Sequence, residues 1–181
     1  MKKISFLLIL GLFAAAASAE MYKKVLLDSS NGQVRVWPKL GQVKGWHQDE
    51  YASTANDANA QVPDGFSFGN SATVIYAKAM YKLSKPGIKS LEQYIEYDKK
   101  KFLEEKPGII IKETEPAVTG DKVKLRSFTF FPKDKGEWER VSYGEEGDYY
   151  IAFTVSSLSK REYEKVQGDY LRFLRSYKIK M

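Results

Sequence analysis

Cysteine is absent from the 181 residues, and there is a single histidine, His47. The first absence removes disulfides, so the fold must be held by an ordinary core. It also removes the lipid-modified cysteine on which a bacterial lipoprotein is anchored. The two absences together leave the usual zinc ligand sets unfillable. Proline- or glycine-rich linkers, low-complexity tracts and internal repeats are missing too, which makes one domain the economical organisation. Past residue 19, no uncharged apolar stretch approaches the ~20 residues of a membrane-spanning helix.

The one long apolar run opens the chain. In MKKISFLLILGLFAAAASAE, Lys2 and Lys3 form a positive start, Ile4 to Ala17 carries no charge, and Ala17-Ser18-Ala19 is a small-residue cleavage pattern. Residues 1–19 are expected to be a secretory signal peptide cut before Glu20. Residues 20–181 would then be one soluble domain of the periplasm or the medium, with no stable membrane insertion after cleavage. Removing Lys2 and Lys3 from the 29 basic residues leaves 27 against 23 acidic ones, a surplus of four. That surplus is too small to mark a nucleic-acid-binding surface.

Periodicity supplies the elements. Tyr22–Asp28 and Gln33–Trp37 are short strands around SSNG, an Asn-Gly turn signal. Gly45 to Gly65 is polar, rich in Ala, Asn and Asp, and reads as irregular or weakly helical. Ala72–Leu83 alternates, with Ile75, Ala77, Ala79 and Tyr81 on one face and Val74, Tyr76, Lys78 and Met80 on the other. Ser90 and Gln93 form a capping box opening a helix to about Lys106, with the stripe Leu91, Tyr94, Ile95, Phe102 and Leu103. A strand from Gly108 and a meander over Lys122–Phe131, Glu137–Glu145 and Asp148–Ser156 follow. Ser159 and Glu162 open a last helix whose stripe is Tyr163, Val166, Tyr170, Phe173, Leu174 and Tyr177. Hairpin strands with two long one-sided helices define an α+β domain: an antiparallel sheet with two long amphipathic helices packed on it.

Four places could carry chemistry. GFSFG, Gly65 to Gly69, spells the nucleophile elbow of serine hydrolases. Its flanks are wrong, because QVPD before it is turn chemistry and a strand pattern follows it. The one histidine lies upstream of Ser67, whereas that hydrolase order places it downstream. A small hydrolase using Ser67 and His47 is therefore the alternative reading, and no catalytic residue is assigned in the main one. His47 stands in WHQDE beside Trp46; Asp49 and Glu50 are adjacent, not at helical ligand spacing. GEEGD gathers Glu145, Glu146 and Asp148 without EF-hand spacing, as acids of a solvated hairpin tip. A carboxylate-rich metal-binding protein is the second alternative, although no metal or cofactor is assigned. Trp138 and Arg140 share one strand face, where they could stack a ligand or form a sheet-surface pair. The run Asp98–Lys101 reads as a solvated helix face.

The order of elements, with Gly45-Trp46, VIYAKA, SLEQYI, WERVSYGEEGDYYIAF and FLRSYKI, resembles the PsbP-like family over about Asn31 to Ile179. The resemblance implies an α/β/α sandwich, the fold of extrinsic photosystem proteins and of a Ran-binding nuclear-import factor. It also implies a binding or assembly role in place of catalysis. It carries no metal or partner-binding residue onto this chain. The expectation is a non-enzymatic module binding a protein of the cell envelope or outside it through the Gly45–Gly69 segment, with Trp46, His47, Trp138 and Arg140 as candidate binding residues.

Overall fold

Seven antiparallel strands form one sheet in the order β3-β4-β5-β9-β8-β7-β6. The structure, a computed structural model, describes residues 21–26 and 33–179, with side chains from residue 35 onward. The expected signal peptide and the SSNG turn lie outside the described residues. A hairpin of β1 (Met21–Leu26) and β2 (Gln33–Pro38) forms a separate two-stranded sheet. It packs through β2 on β4 and β5. The main sheet runs through β3 (Trp46–Gln48), β4 (Ala58–Pro63) and β5 (Thr73–Tyr81). It continues in the meander β6 (Ile110–Val118), β7 (Lys124–Phe131), β8 (Trp138–Glu146) and β9 (Tyr149–Ser157). Helix α1 spans Glu50–Asn56, α2 Leu91–Glu105 and α3 Lys160–Ser176.

The two long helices cover opposite faces of this sheet, because each strand alternates. On one face Ile75, Phe153 and Val155 meet Val166, Phe173 and Leu174 of α3. On the other, Phe128, Phe130, Val141 and Tyr150 meet Tyr94 and Ile95 of α2. The fold is thus the expected single α+β domain with helices on both sides of an antiparallel sheet. Both helices start as the capping signals require: Ser90 Oγ accepts from Gln93 N at 3.2 Å and Ser159 Oγ from Glu162 N at 3.3 Å. The Gln93 side chain bonds back to Lys89 N at 2.7 Å, one residue before the cap. The end of α3 is docked onto the β6–β7 connection. Gly120 N donates to the Tyr177 carbonyl at 2.7 Å, and a Cβ at Gly120 would lie 2.4 Å from the Arg175 carbonyl oxygen.

Three elements differ from the expectation. The polar stretch after Gly45 is not irregular; it forms β3, α1 and β4. Strand β4 escapes periodicity because it is buried on both faces while its first four residues, Ala58 to Gln61, carry only small or polar side chains. Asn59 and Gln61, both buried, satisfy each other through a 2.5 Å side-chain hydrogen bond. Asp98 is not on a solvated helix face but turns onto the sheet, accepting from the Tyr143 hydroxyl at 2.7 Å. Glu146 is not a solvated hairpin acid; it is 8% exposed and accepts from the Tyr177 hydroxyl. In both cases the partner lies far away in sequence, so no local pattern reveals it.

Candidate functional site

Helix α2 covers β7 and β8 but leaves part of the same sheet face open over β4, β5 and the end of β9. The open part is a cleft of about 280 Å³. Its floor is Val74, Tyr76 and Ser156, with Ala58 and Ala60 of β4 alongside; Phe68, Leu158 and Glu137 form its walls. The small β4 side chains make the depression, since any larger residue at Ala58 or Ala60 would fill it. Phe68 comes from GFSFG and stands over Tyr76, ring centroids 6.4 Å apart. Leu158 is 60% exposed at the lip.

Asp49 positions that wall. Its carboxylate caps α1 through Ala52 N and accepts from Phe68 N, both at 2.9 Å. The two backbone donors hold its carboxyl below the ordinary carboxylate value. One side chain therefore ties the GFSFG loop to the start of α1.

Charge around the cleft is asymmetric. Glu137 is held by Lys106 at 2.5 Å, and Lys106 also reaches Glu139 at 2.9 Å. Burial raises the carboxyls of Asp98 and Glu139 above their ordinary values, against the lowering effect of Tyr143 on the first and Lys106 on the second. Burial, with the charge of Glu139 added, also pushes the Tyr76 phenol well up. Lys78, at the other end of the cleft, makes no ion pair among the described residues; its ammonium lies over the Tyr76 ring, 5.6 Å from the centroid.

The residues singled out from sequence lie elsewhere. Trp46 is half-buried and meets Phe173 edge-on, 5.7 Å between centroids. His47 is exposed on the edge strand, with Nδ1 3.4 Å from Asp64 Oδ1. Both line a broader hollow of about 710 Å³ beside Leu40, Gln48 and Asn59. Trp138 and Arg140 do share a face, the one under α3. Trp138 stacks on Phe131 at 4.7 Å, and Arg140 donates to the Glu115 carbonyl at 2.8 Å and to Gln167 at 3.3 Å. Ser67 sits in an exposed turn whose carbonyl accepts from Asn70 N and Ser71 N, and the chain runs on into β5. Its hydroxyl has no hydrogen-bond partner among the described residues. No group of three or more His, Asp or Glu side chains converges as metal ligands among the described residues. No described helix is long and apolar enough to cross a membrane.

Phe68 falls within the expected Gly45–Gly69 segment, whereas Lys78 and Ser156 went unremarked as site residues because they come from two other strands. One signal was available: Lys78 interrupts an otherwise uncharged strand face of Val74, Tyr76 and Met80. A similar one marks Asp98, four residues from both Tyr94 and Phe102 on a helical stripe.

No protein-family model matches this chain, and no curated protein does. Among solved structures it is similar to the Saccharomyces cerevisiae Ran-binding protein Mog1p, with 13% identity and a TM-score of 0.42. That similarity covers 84% of this chain and 85% of the other.

Proposed function

We propose that this chain is an exported, non-enzymatic binding module that takes a partner from the cell envelope or the surrounding medium into the cleft of Phe68, Tyr76 and Lys78. The observation that carries the binding role is the cleft itself, a depression in a sheet face with Tyr76 in its floor, Phe68 in its wall and a cation at one end. Pockets that hold ligands combine a mainly apolar lining with a few placed polar groups in this way. A catalytic role for Ser67 finds no support in its surroundings: its hydroxyl has no base among the described residues, and His47 faces Asp64. Export rests on the residues before Glu20, and membership in the PsbP-like family on the order of elements and the stretches quoted for it.

The natural lack of cysteine makes the test clean. Ala72 is exposed and lines the cleft, whereas Lys165 is exposed on α3. Ala72→Cys and Lys165→Cys, each carrying a benzophenone group, are irradiated with envelope and culture fractions of the producing cell. A product formed from the cleft position alone supports the proposal. Identical products from both positions, or none from Ala72→Cys, would sink it. Intact-mass measurement of the recovered protein tests export separately, the expected species beginning at Glu20.

A further inference from the structure

We infer that the cleft recognises a small free carboxylic acid with a flat apolar body, the carboxylate on Lys78 and the body along Tyr76 and Val74 toward Ser156. This rests on the proposed binding role and names its ligand class. Val74, Tyr76 and Lys78 are alternate residues of one strand, so they stand in a row on one face. The row spans roughly 13 Å at about 3.3 Å per residue. Along that length the chemistry changes in order: ammonium, phenol ring and valine, with Ser156 beside Val74 on the neighbouring strand. Phe68 leans against Tyr76 at the middle of the row, with ring centroids 6.4 Å apart and planes inclined at 59°, so a flat body would lie alongside this aromatic pair and not between its rings.

Charge selects an anion. Of the carboxylates near the cleft, Glu137 and Glu139 are engaged by Lys106, and Asp98, which accepts from the Tyr143 hydroxyl, feels the charge of Lys78 without forming an ion pair with it. Lys78 alone presents an ammonium with no carboxylate within ion-pair distance among the described residues. The Ser156 hydroxyl, half-buried at the far end, likewise has no hydrogen-bond partner among the described residues. A ligand with an anionic head, an aromatic waist and a polar tail therefore meets a complementary group at each position. Walls at Phe68, Leu158 and Glu137 limit the occupant to the size of a small molecule.

The test uses three probes of one shape: 2-naphthoate, 2-naphthylmethanol and 2-naphthylmethylamine, titrated into the purified chain by calorimetry and by amide NMR shifts. The expected order is naphthoate first, the alcohol about fivefold weaker, as an exposed ion pair supports, and the amine weakest. Shifts are expected at Phe68, Tyr76 and Lys78. Lys78→Met should abolish the preference for the acid while leaving the alcohol unchanged, and Lys165→Met should leave both unchanged. Raising the salt should narrow the gap between acid and alcohol. Naphthoate binding no tighter than the alcohol, a preference that survives Lys78→Met, or no binding by any probe would overturn the inference. If the Ala72→Cys product still forms in that event, the cleft binds something of another class and only the ligand assignment fails. If that product is also missing, the binding role falls with it.

Discussion

Removing one oxygen atom, in Tyr170→Phe, is expected to destabilise the fold by about 1–2 kcal/mol. The Tyr170 ring is wholly buried between α3 and the sheet. Its hydroxyl donates to the Phe153 carbonyl at 2.9 Å and lies 2.7 Å from Ser142 Oγ. Ser142 Oγ is in turn 2.7 Å from Ser127 Oγ, which donates to the Leu125 carbonyl at 3.2 Å and accepts from Ala117 N at 3.2 Å. One chain of hydroxyls thus crosses the core from α3 through β8 to β7 and β6. Phenylalanine preserves the packing but strips Phe153 of a donor and Ser142 of a neighbour. A buried polar group left unmatched costs about 1–3 kcal/mol. The lower half of that range applies because Ser142 can still turn to Ser127. For a domain of this size each kcal/mol lowers the melting temperature by about 2–4 °C, so a drop of roughly 2–8 °C is expected. Urea denaturation followed by tryptophan fluorescence reads the change, which should appear as a lower midpoint with an unaltered slope. Ser142→Ala should couple to it, the double variant losing less than the two single losses combined. A loss below about 0.5 kcal/mol, the range of ordinary surface changes, would show that the chain of hydroxyls does not hold α3 in place.

Three further outcomes follow from the same packing. Phe173→Ala, at a ring with no exposure that supports Trp46, should cost about 3–5 kcal/mol in the same denaturation assay; a loss near zero would place that ring outside the core. Asp49→Ala should cost about 0.5–2 kcal/mol as a lost helix cap and release the loop it tethers, so amide exchange at Phe68 should quicken; unchanged exchange there would refute the tether. Asp98 and Glu139 are raised by burial above 3.8 and 4.5, so the native state holds their protons to higher pH than the unfolded state does. Their contribution to stability is therefore greatest below those ordinary values and falls as pH rises through the raised ones. Asp98→Asn should flatten that decline as pH rises above 3.8, and a decline as steep as in the parent chain would contradict the assignment.

Helices α2 and α3 were legible because their burial is one-sided and their apolar residues repeat with the helical period, and strands β5 to β9 because large apolar residues recur at alternate positions between turn signals, as Ile151, Phe153 and Val155 do in β9. Strands β3 and β4 and helix α1 were not. Ala58, Asn59, Ala60 and Gln61 are all buried, and a strand covered on both faces has no reason to alternate. The cleft was hidden for a related cause. Its shape comes from what is small, Ala58 and Ala60, and a missing side chain leaves no mark in a pattern of apolar residues. Trp138 and Arg140 were correctly placed on one face. Sequence could not tell that α3 would cover that face, because the helix reaches it only through the register of β8 with β9.

The strand at the middle of the sheet, β9, is the last strand in the chain. Everything before it makes two unfinished ribbons, β3-β4-β5 and β6-β7-β8, which share no hydrogen-bonded neighbour until β9 enters between β5 and β8. A nascent polypeptide stopped short of Tyr149 can form hairpins but cannot close its sheet, and it also lacks the helix that shields one of the two faces. Closure of the sheet therefore waits on the synthesis of β9. Premature termination anywhere upstream leaves two ribbons with exposed edges and a bare apolar face, a product suited to degradation or aggregation.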